Sequence, residues 1–300
     1  MIGYCPFLLK GILLATAYLN GEFLPLGQAK VSVLDRGFLF GDGVYEVIPV
    51  YGGYFFRLTL HLQRLEQSLE AVHLQNPLPE NQWQKILQEL IAYNKGLDQA
   101  VYLQVTRGTA VRNHAFPDRV EPTVFAMSNP LEPLSAELRA KGVSAVTRED
   151  IRWKCCHIKS IALLANVLLR QEAIDVGAQE AILLHEERLT EGAASNVFIV
   201  REGVLATPPK GSFLLSGVTR DLILELAKEN GIPCQERVIS AQELTQADEI
   251  WLTSSTREIV PVTRIDGIQV GNGTPGLLWQ QMDRLYQTYK TKVRAGLCES

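Results

Sequence analysis

The chain has 300 residues, 46% hydrophobic and 21% charged, with a formal net charge of −4. That is enough for one large domain or two of ordinary size. With no basic block or Lys/Arg stripe, the electrostatic footprint of a nucleic-acid-binding protein is missing, and that class is excluded.

In chain order, residues 7–15 form an apolar run that faintly resembles a signal-peptide core. Lys10 interrupts it, no basic segment precedes it, and it is too short to span a bilayer. Residues 1–15 are therefore read as an appendage, and a cytoplasmic protein without a membrane segment is expected. Leu19-Asn20-Gly21-Glu22-Phe23 predicts a hairpin with an Asn-Gly turn. Strands are expected at 43–51 and 54–56, joined by Gly52-Gly53. A helix follows over 58–72, with Leu62, Leu65 and Leu69 on one face, and another over 83–93, closed by Lys95-Gly96. Residues 100–106 and 122–127 read as strands.

Residues 129–135, with Pro130 and Pro133, read as a linker. Beyond it the pattern predicts a strand over 142–147 and a helix over 160–176 ending at Gly177. Strands are expected at 180–185, 196–201, 204–207 and 249–253, and a helix over 218–230 stopped by Gly231. The fold class is α+β (mixed α/β), with a smaller N-terminal domain over 16–131 and a larger C-terminal domain over 132–300.

The five cysteines (Cys5, Cys155, Cys156, Cys234, Cys298) are odd in number and form no framework, as expected of reduced thiols. The five histidines are scattered without ligand spacing, so no metal is expected. Lys159 has apolar neighbours, Ile158 and Ile161-Ala162-Leu163-Leu164. Burial disfavours an ammonium, and a neutral lysine can bond covalently to an aldehyde. Glu191, in Thr190-Glu191-Gly192, could keep a pyridine nitrogen protonated; together the two point to pyridoxal phosphate. Taken alone, Lys159 reads equally as a surface charge and Glu191 as a turn residue. Leu215-Ser216-Gly217-Val218-Thr219-Arg220 opens a helix whose free N–H groups suit a phosphate, and Thr253-Ser254-Ser255-Thr256 offers hydroxyls after a strand. Each could also be an ordinary cap or turn.

The order of these blocks is more specific than any one of them. Asp35-Arg36-Gly37-Phe38, Phe40-Gly41-Asp42-Gly43-Val44-Tyr45-Glu46 and His61-Leu62-Gln63-Arg64 precede Lys159, Glu191, the 215–220 run and the 253–256 run. This succession resembles the fold-type IV pyridoxal-phosphate enzymes over about residues 17–290. The resemblance implies that the cofactor lies in the cleft between the two domains, held covalently by Lys159, with Glu191 on its ring nitrogen. Arg64, Val218, Thr219, Ser254 and Ser255 would serve the phosphate, and Leu215 would press on the ring. Asp150-Ile151-Arg152-Trp153 also matches, with no catalytic role assigned.

Gln104-Val105-Thr106-Arg107-Gly108-Thr109 followed by Arg112-Asn113-His114 is similar to the segment with which the D-amino-acid-specific branch traps the substrate α-carboxylate. Tyr45 would complete that trap. This implies ping-pong transamination between a D-amino acid such as D-alanine and 2-oxoglutarate or pyruvate, by a homodimer in which Arg112 and His114 reach the partner's site. The branched-chain and aminodeoxychorismate branches are the alternatives. On its own, the 112–114 segment reads as a polar surface loop. Ala194 and Ser255 depart from the pattern, standing where a hydroxyl residue and a threonine are common.

Overall fold

In the computed structural model, which describes residues 15–298, the Asn20-Gly21 pair closes the first hairpin. Asn20 (φ 49°) and Gly21 (φ 102°) take the positive-φ conformations a two-residue turn needs, joining β1 (Thr16–Leu19) to β2 (Glu22–Pro25). The expected appendage falls outside the described residues except for Ala15, and so does Cys5.

The chain divides into two units. The first takes in the residues up to Glu132, Ile158–Ala162 and the stretch from Lys292; the second takes in Pro133–His157 and Leu163–Thr291. The sequence reading had given all of 132–300 to the second domain.

After β2 the first unit continues with α1 (Arg36–Phe40), β3 (Gly43–Tyr51), β4 (Tyr54–Phe55), α2 (Leu58–Ala71), α3 (Glu80–Tyr93), β5 (Gln99–Thr106) and β6 (Thr123–Pro130). Its sheet runs β2-β1-β6-β5-β3-β4, antiparallel throughout. Leu62, Leu65 and Leu69 of α2, with Leu87 and Leu90 of α3, close over Ile48, Val101 and Leu103 of the sheet. Pairing with β5 carries β6 as far as Pro130, into the stretch expected as linker.

β4 covers only Val50 and Tyr51 at one end of the β3 edge. Residues 159–161 cover the other end. Tyr45 N donates to Lys159 O (3.0 Å), Ile161 N donates to Gly43 O (3.1 Å), and Ser160 bridges Val44. Those backbone bonds place Lys159 in the first unit. They also correct the helix expected from residue 160. Its first residues are extended beside β3, and the helix begins at Leu164.

The second unit contains α4 (Ala136–Lys141), β7 (Val143–Glu149), α5 (Leu164–Asp175), β8 (Glu180–His185), β9 (Arg188–Gly192), β10 (Asn196–Arg201), β11 (Val204–Thr207) and α6 (Val218–Glu229). It continues with β12 (Cys234–Glu236), α7 (Ala241–Thr245), β13 (Glu249–Ser254), β14 (Glu258–Ile265), β15 (Ile268–Gln269) and α8 (Leu277–Arg294), whose residues from Lys292 fall in the first unit. The sheet order is β12-β11-β10-β13-β14-β7-β8-β9, with β15 on β14. Val143, Ile182, Leu189, Val197, Leu252 and Val260 fill its core. Among the described residues no helix is long and apolar enough to cross a membrane.

Candidate active site

In the first unit, Lys159 is half-buried and not enclosed as its apolar neighbours suggested. Its Nζ lies 4.2 Å from the centroid of the Tyr45 ring, and its backbone N–H donates to Ser68 Oγ (3.2 Å). Tyr45 stacks on Tyr102 at 5.7 Å. Alternation along β3 turns the next residue, Glu46, to the opposite face, into the core against α2.

There Arg64 grips Glu46 with two parallel bonds, Nε to Oε1 and Nη2 to Oε2, both 2.8 Å. His61, one helical turn before Arg64, makes a third bond through Nδ1 (2.8 Å). Burial alone would raise the Glu46 carboxyl; the Arg64 charge and the bonds from Arg64 and His61 overcome it and hold the group far below its ordinary range. Burial pushes the His61 imidazole down despite Glu46, so His61 stays neutral with its Nδ1–H on the carboxylate. The Arg64 guanidinium is thus fixed in place by Glu46.

In the second unit, Glu191 lies one residue before the end of β9 as a buried strand residue, not a turn residue. Its Oε2 accepts from Leu215 N (3.0 Å) and Asn196 Nδ2 (3.2 Å), and its Oε1 is bound by Arg152 Nη1. Arg152 is gripped in turn by Asp150 (Nε to Oδ1 2.9 Å, Nη2 to Oδ2 2.8 Å), and Asp150 accepts from the Thr190 hydroxyl (2.8 Å). Burial raises the Glu191 carboxyl above its usual value, while the Arg152 charge and the Leu215 N–H work against that. Arg152 and Asn196, given no role in the sequence reading, both bond the Glu191 carboxylate. The signal for Arg152 was present in the matched 150–153 block.

Helix α6 begins at Gly217 with no side-chain cap, so the N–H groups of Val218 and Thr219 project from an open helix start. The Thr219 and Thr253 hydroxyls are buried and without a hydrogen-bond partner among the described residues. Buried hydroxyls rarely go without a partner, so both are open to a ligand or an ordered water. Asn196 ties these parts together, since Nδ2 also donates to Leu215 O (2.8 Å) and its backbone pairs with Thr253. Ser254 ends β13 and Ser255 opens the turn after it, both half-buried, with Ser254 Oγ accepting from Arg257 N (3.3 Å). Ala194 is exposed.

These residues fit pyridoxal phosphate. Taken by their chemistry and each within its own unit, the orphaned threonine hydroxyls and the open helix start of the second unit suit its phosphate, the Glu191 carboxylate suits its ring nitrogen, and Lys159 of the first unit suits its aldehyde. Arg112 and His114, by contrast, stand exposed on the 107–122 connection of the first unit, both against the Phe40 ring at 5.3 Å.

Two α+β units with these sheets, and a lysine offered from the β3 edge, have the architecture of the fold-type IV pyridoxal-phosphate enzymes. The chain belongs to the amino-transferase class IV family, whose sequence profile matches residues 43–265, and is thereby a pyridoxal-phosphate-dependent transferase.

It is 40% identical to a D-alanine aminotransferase of Bacillus licheniformis over 89% of this chain and 94% of the relative. It is 38% identical to one of Staphylococcus haemolyticus over 91% of this chain and 96% of the relative. Among solved structures, the branched-chain amino acid aminotransferase of Escherichia coli superposes with a TM-score of 0.88 at 29% identity, covering 96% of this chain and 97% of that one. A T.th. branched-chain amino acid aminotransferase, determined with pyridoxamine 5'-phosphate, gives a TM-score of 0.89 at 26% identity, covering 95% of this chain and 97% of that one.

Proposed function

We propose that this enzyme transfers the amino group of a D-amino acid such as D-alanine to a 2-oxo acid, 2-oxoglutarate or pyruvate, by a ping-pong route. The observation that carries the choice of substrate is the exposed Arg112–His114 pair on an ordered loop. A guanidinium and an imidazole gathered on one aromatic ring offer several donors to a carboxylate. The D-alanine aminotransferases at 38–40% identity support the same reading.

Pyridoxal phosphate, when bound, supplies an aldehyde that captures the amine and a ring that withdraws charge from the α-carbon. Lys159 Nζ would hold that aldehyde covalently and, once released from it, carry the proton to and from the α-carbon. Glu191 would accept the hydrogen bond of the ring N–H, with Arg152, Asn196 and Leu215 N fixing its carboxylate. The backbone of Val218 and Thr219, the Thr219 hydroxyl, Ser254 and Ser255 would donate to the phosphate, and Arg64 would face it as a charge. Leu215 would pack on the ring. Arg112, His114 and Tyr45 would bind the substrate carboxylate.

The working unit is proposed to be a homodimer in which Arg112 and His114 reach the partner's site. Val31, Val33, Phe38 and Val111 of the first unit lie exposed, an apolar display that a second copy would cover. Cys155, Cys156, Cys234 and Cys298 are unpaired, which supports a cytoplasmic setting.

The test is to add amino acids to the purified holoenzyme. D-Alanine is expected to change the visible absorption of the cofactor and release pyruvate, while L-leucine leaves the spectrum as it was. A response to L-leucine alone would move the enzyme to the branched-chain group. Arg112→Ala is expected to keep the colour and raise KM for D-alanine by about ten- to a hundredfold, since a carboxylate loses charged donors worth about 1.5–3 kcal/mol each. Unchanged kinetics would remove Arg112 from the substrate site.

A further inference from the structure

Arg112 and His114 sit on a loop without regular secondary structure, yet a substrate carboxylate needs them in one place. Directly behind them is Arg36, only 3% exposed. Its Nη1 donates to Asn113 O (2.6 Å) and Ala115 O (3.3 Å), and its Nη2 reaches His114 O (3.5 Å). One buried guanidinium therefore holds three successive backbone carbonyls of the segment that carries the pair.

Arg36 is fixed in turn. Its Nε donates to Asp42 Oδ2 (2.7 Å), which also accepts from Arg107 Nε (2.8 Å). Burial alone would raise Asp42, but the two guanidiniums hold it below the ordinary carboxylate range, so it stays charged between them. Arg107 donates to Val72 O (2.6 Å) and His73 O (3.0 Å) and lies 3.8 Å over the Phe116 ring, which secures the same loop further along. Asp35 caps α1 and also accepts from the hydroxyls of Thr106 (3.0 Å) and Thr123 (2.7 Å), the residues that end β5 and begin β6. Finally, the Phe40 ring meets the Arg36 guanidinium at 4.9 Å and both Arg112 and His114 at 5.3 Å.

We propose that Arg36 is a positioning residue for the substrate carboxylate: anchored on Asp42, it sets the backbone of 113–115, and with Phe40 it aims Arg112 and His114. The proposal rests on the reading of Arg112 and His114 given above. A lysine could keep the charge at position 36 but not the planar fork that spans three carbonyls and a carboxylate.

The test is steady-state kinetics of the holoenzyme with D-alanine for Arg36→Lys, Arg36→Gln, Arg112→Ala and the Arg36→Gln/Arg112→Ala pair. Asp42 keeps Arg107 in the Arg36 variants, so the core beneath stays paired. For Arg36→Gln the expected result is a rise in KM of about ten- to a hundredfold with a much smaller change in kcat. Cofactor content and covalent label at Lys159 stay at the parent level, and Arg36→Lys fails to restore KM. In the double variant the rise in KM should fall well short of the product of the two single rises, because the share of the Arg36 effect that runs through Arg112 is already lost and only the share through His114 remains.

Should Arg36→Gln not fold, Phe40→Leu leaves the buried ion pairs in place and is expected to show the same rise in KM. A raised KM in Arg112→Ala with a parental KM in folded Arg36→Gln, or fully additive effects in the pair, would overturn this proposal alone. A parental KM in Arg112→Ala would overturn it together with the carboxylate assignment.

Discussion

Replacing Lys159 with alanine is expected to lower turnover of D-alanine by about 10⁴-fold, the upper end of what a positioned acid–base group contributes. Lys159 Nζ is offered from a backbone locked to β3 at Tyr45 and Gly43, and among the described residues no other lysine is held in that way. The phosphate residues lie elsewhere in the chain, so the variant should still take up cofactor. Lys159→Arg separates charge from reactivity. The arginine keeps a cation over the Tyr45 face but does not give up its proton, so it should be as inactive as the alanine variant. Turnover within tenfold of the parent in either variant would contradict the role given to Lys159.

The second large effect is on stability. In Glu46→Gln an amide N–H₂ faces the Arg64 fork in place of an acceptor oxygen, and the buried guanidinium loses its counter-charge. Removing one partner of a buried pair costs about 3–5 kcal/mol, and Tm should fall by roughly 10 °C. The same pair makes the fold sensitive to acid. A carboxyl held below its ordinary value of 4.5 adds stability that is complete above that pH and is lost as pH falls towards the folded value. Unfolding followed from pH 7 down to pH 3 should therefore show the parent losing stability below about pH 4.5, whereas Glu46→Gln has already lost that part at neutral pH. Parallel pH profiles for the two proteins would contradict the charged Glu46–Arg64 pair.

Short-range signals carried much of the fold. The Asn20-Gly21 turn, the Leu62/Leu65/Leu69 stripe and the glycine stops after the helices depend on neighbours within a few residues. The succession of blocks around Lys159 and Glu191 was enough to expect the cofactor. Long-range pairing was not legible. Nothing in the periodicity of 158–162 shows that its backbone joins β3, and the apolar run beyond it read as one helix from residue 160. Glu191, just ahead of a strand and before Gly192, could equally be a turn residue by sequence, but it is a buried residue of β9. β14 was missed because Pro261 lies within it and Glu258 opens it at φ 57°. Buried charge was the other blind spot. Glu46 at an inward position of β3, with His61 and Arg64 one turn apart on α2, already had the spacing of a paired core carboxylate. Arg36 and Asp42 belong to a sequence motif that by itself names no physical task; the structure gives them three carbonyls and a second arginine to hold.

The most direct measurement is reduction of the holoenzyme with borohydride, digestion and mass spectrometry of the peptides. The cofactor mass is expected on Lys159 alone. Its attachment to any other lysine, or the absence of a labelled peptide from a fully loaded enzyme, would contradict the site built around the edge of β3.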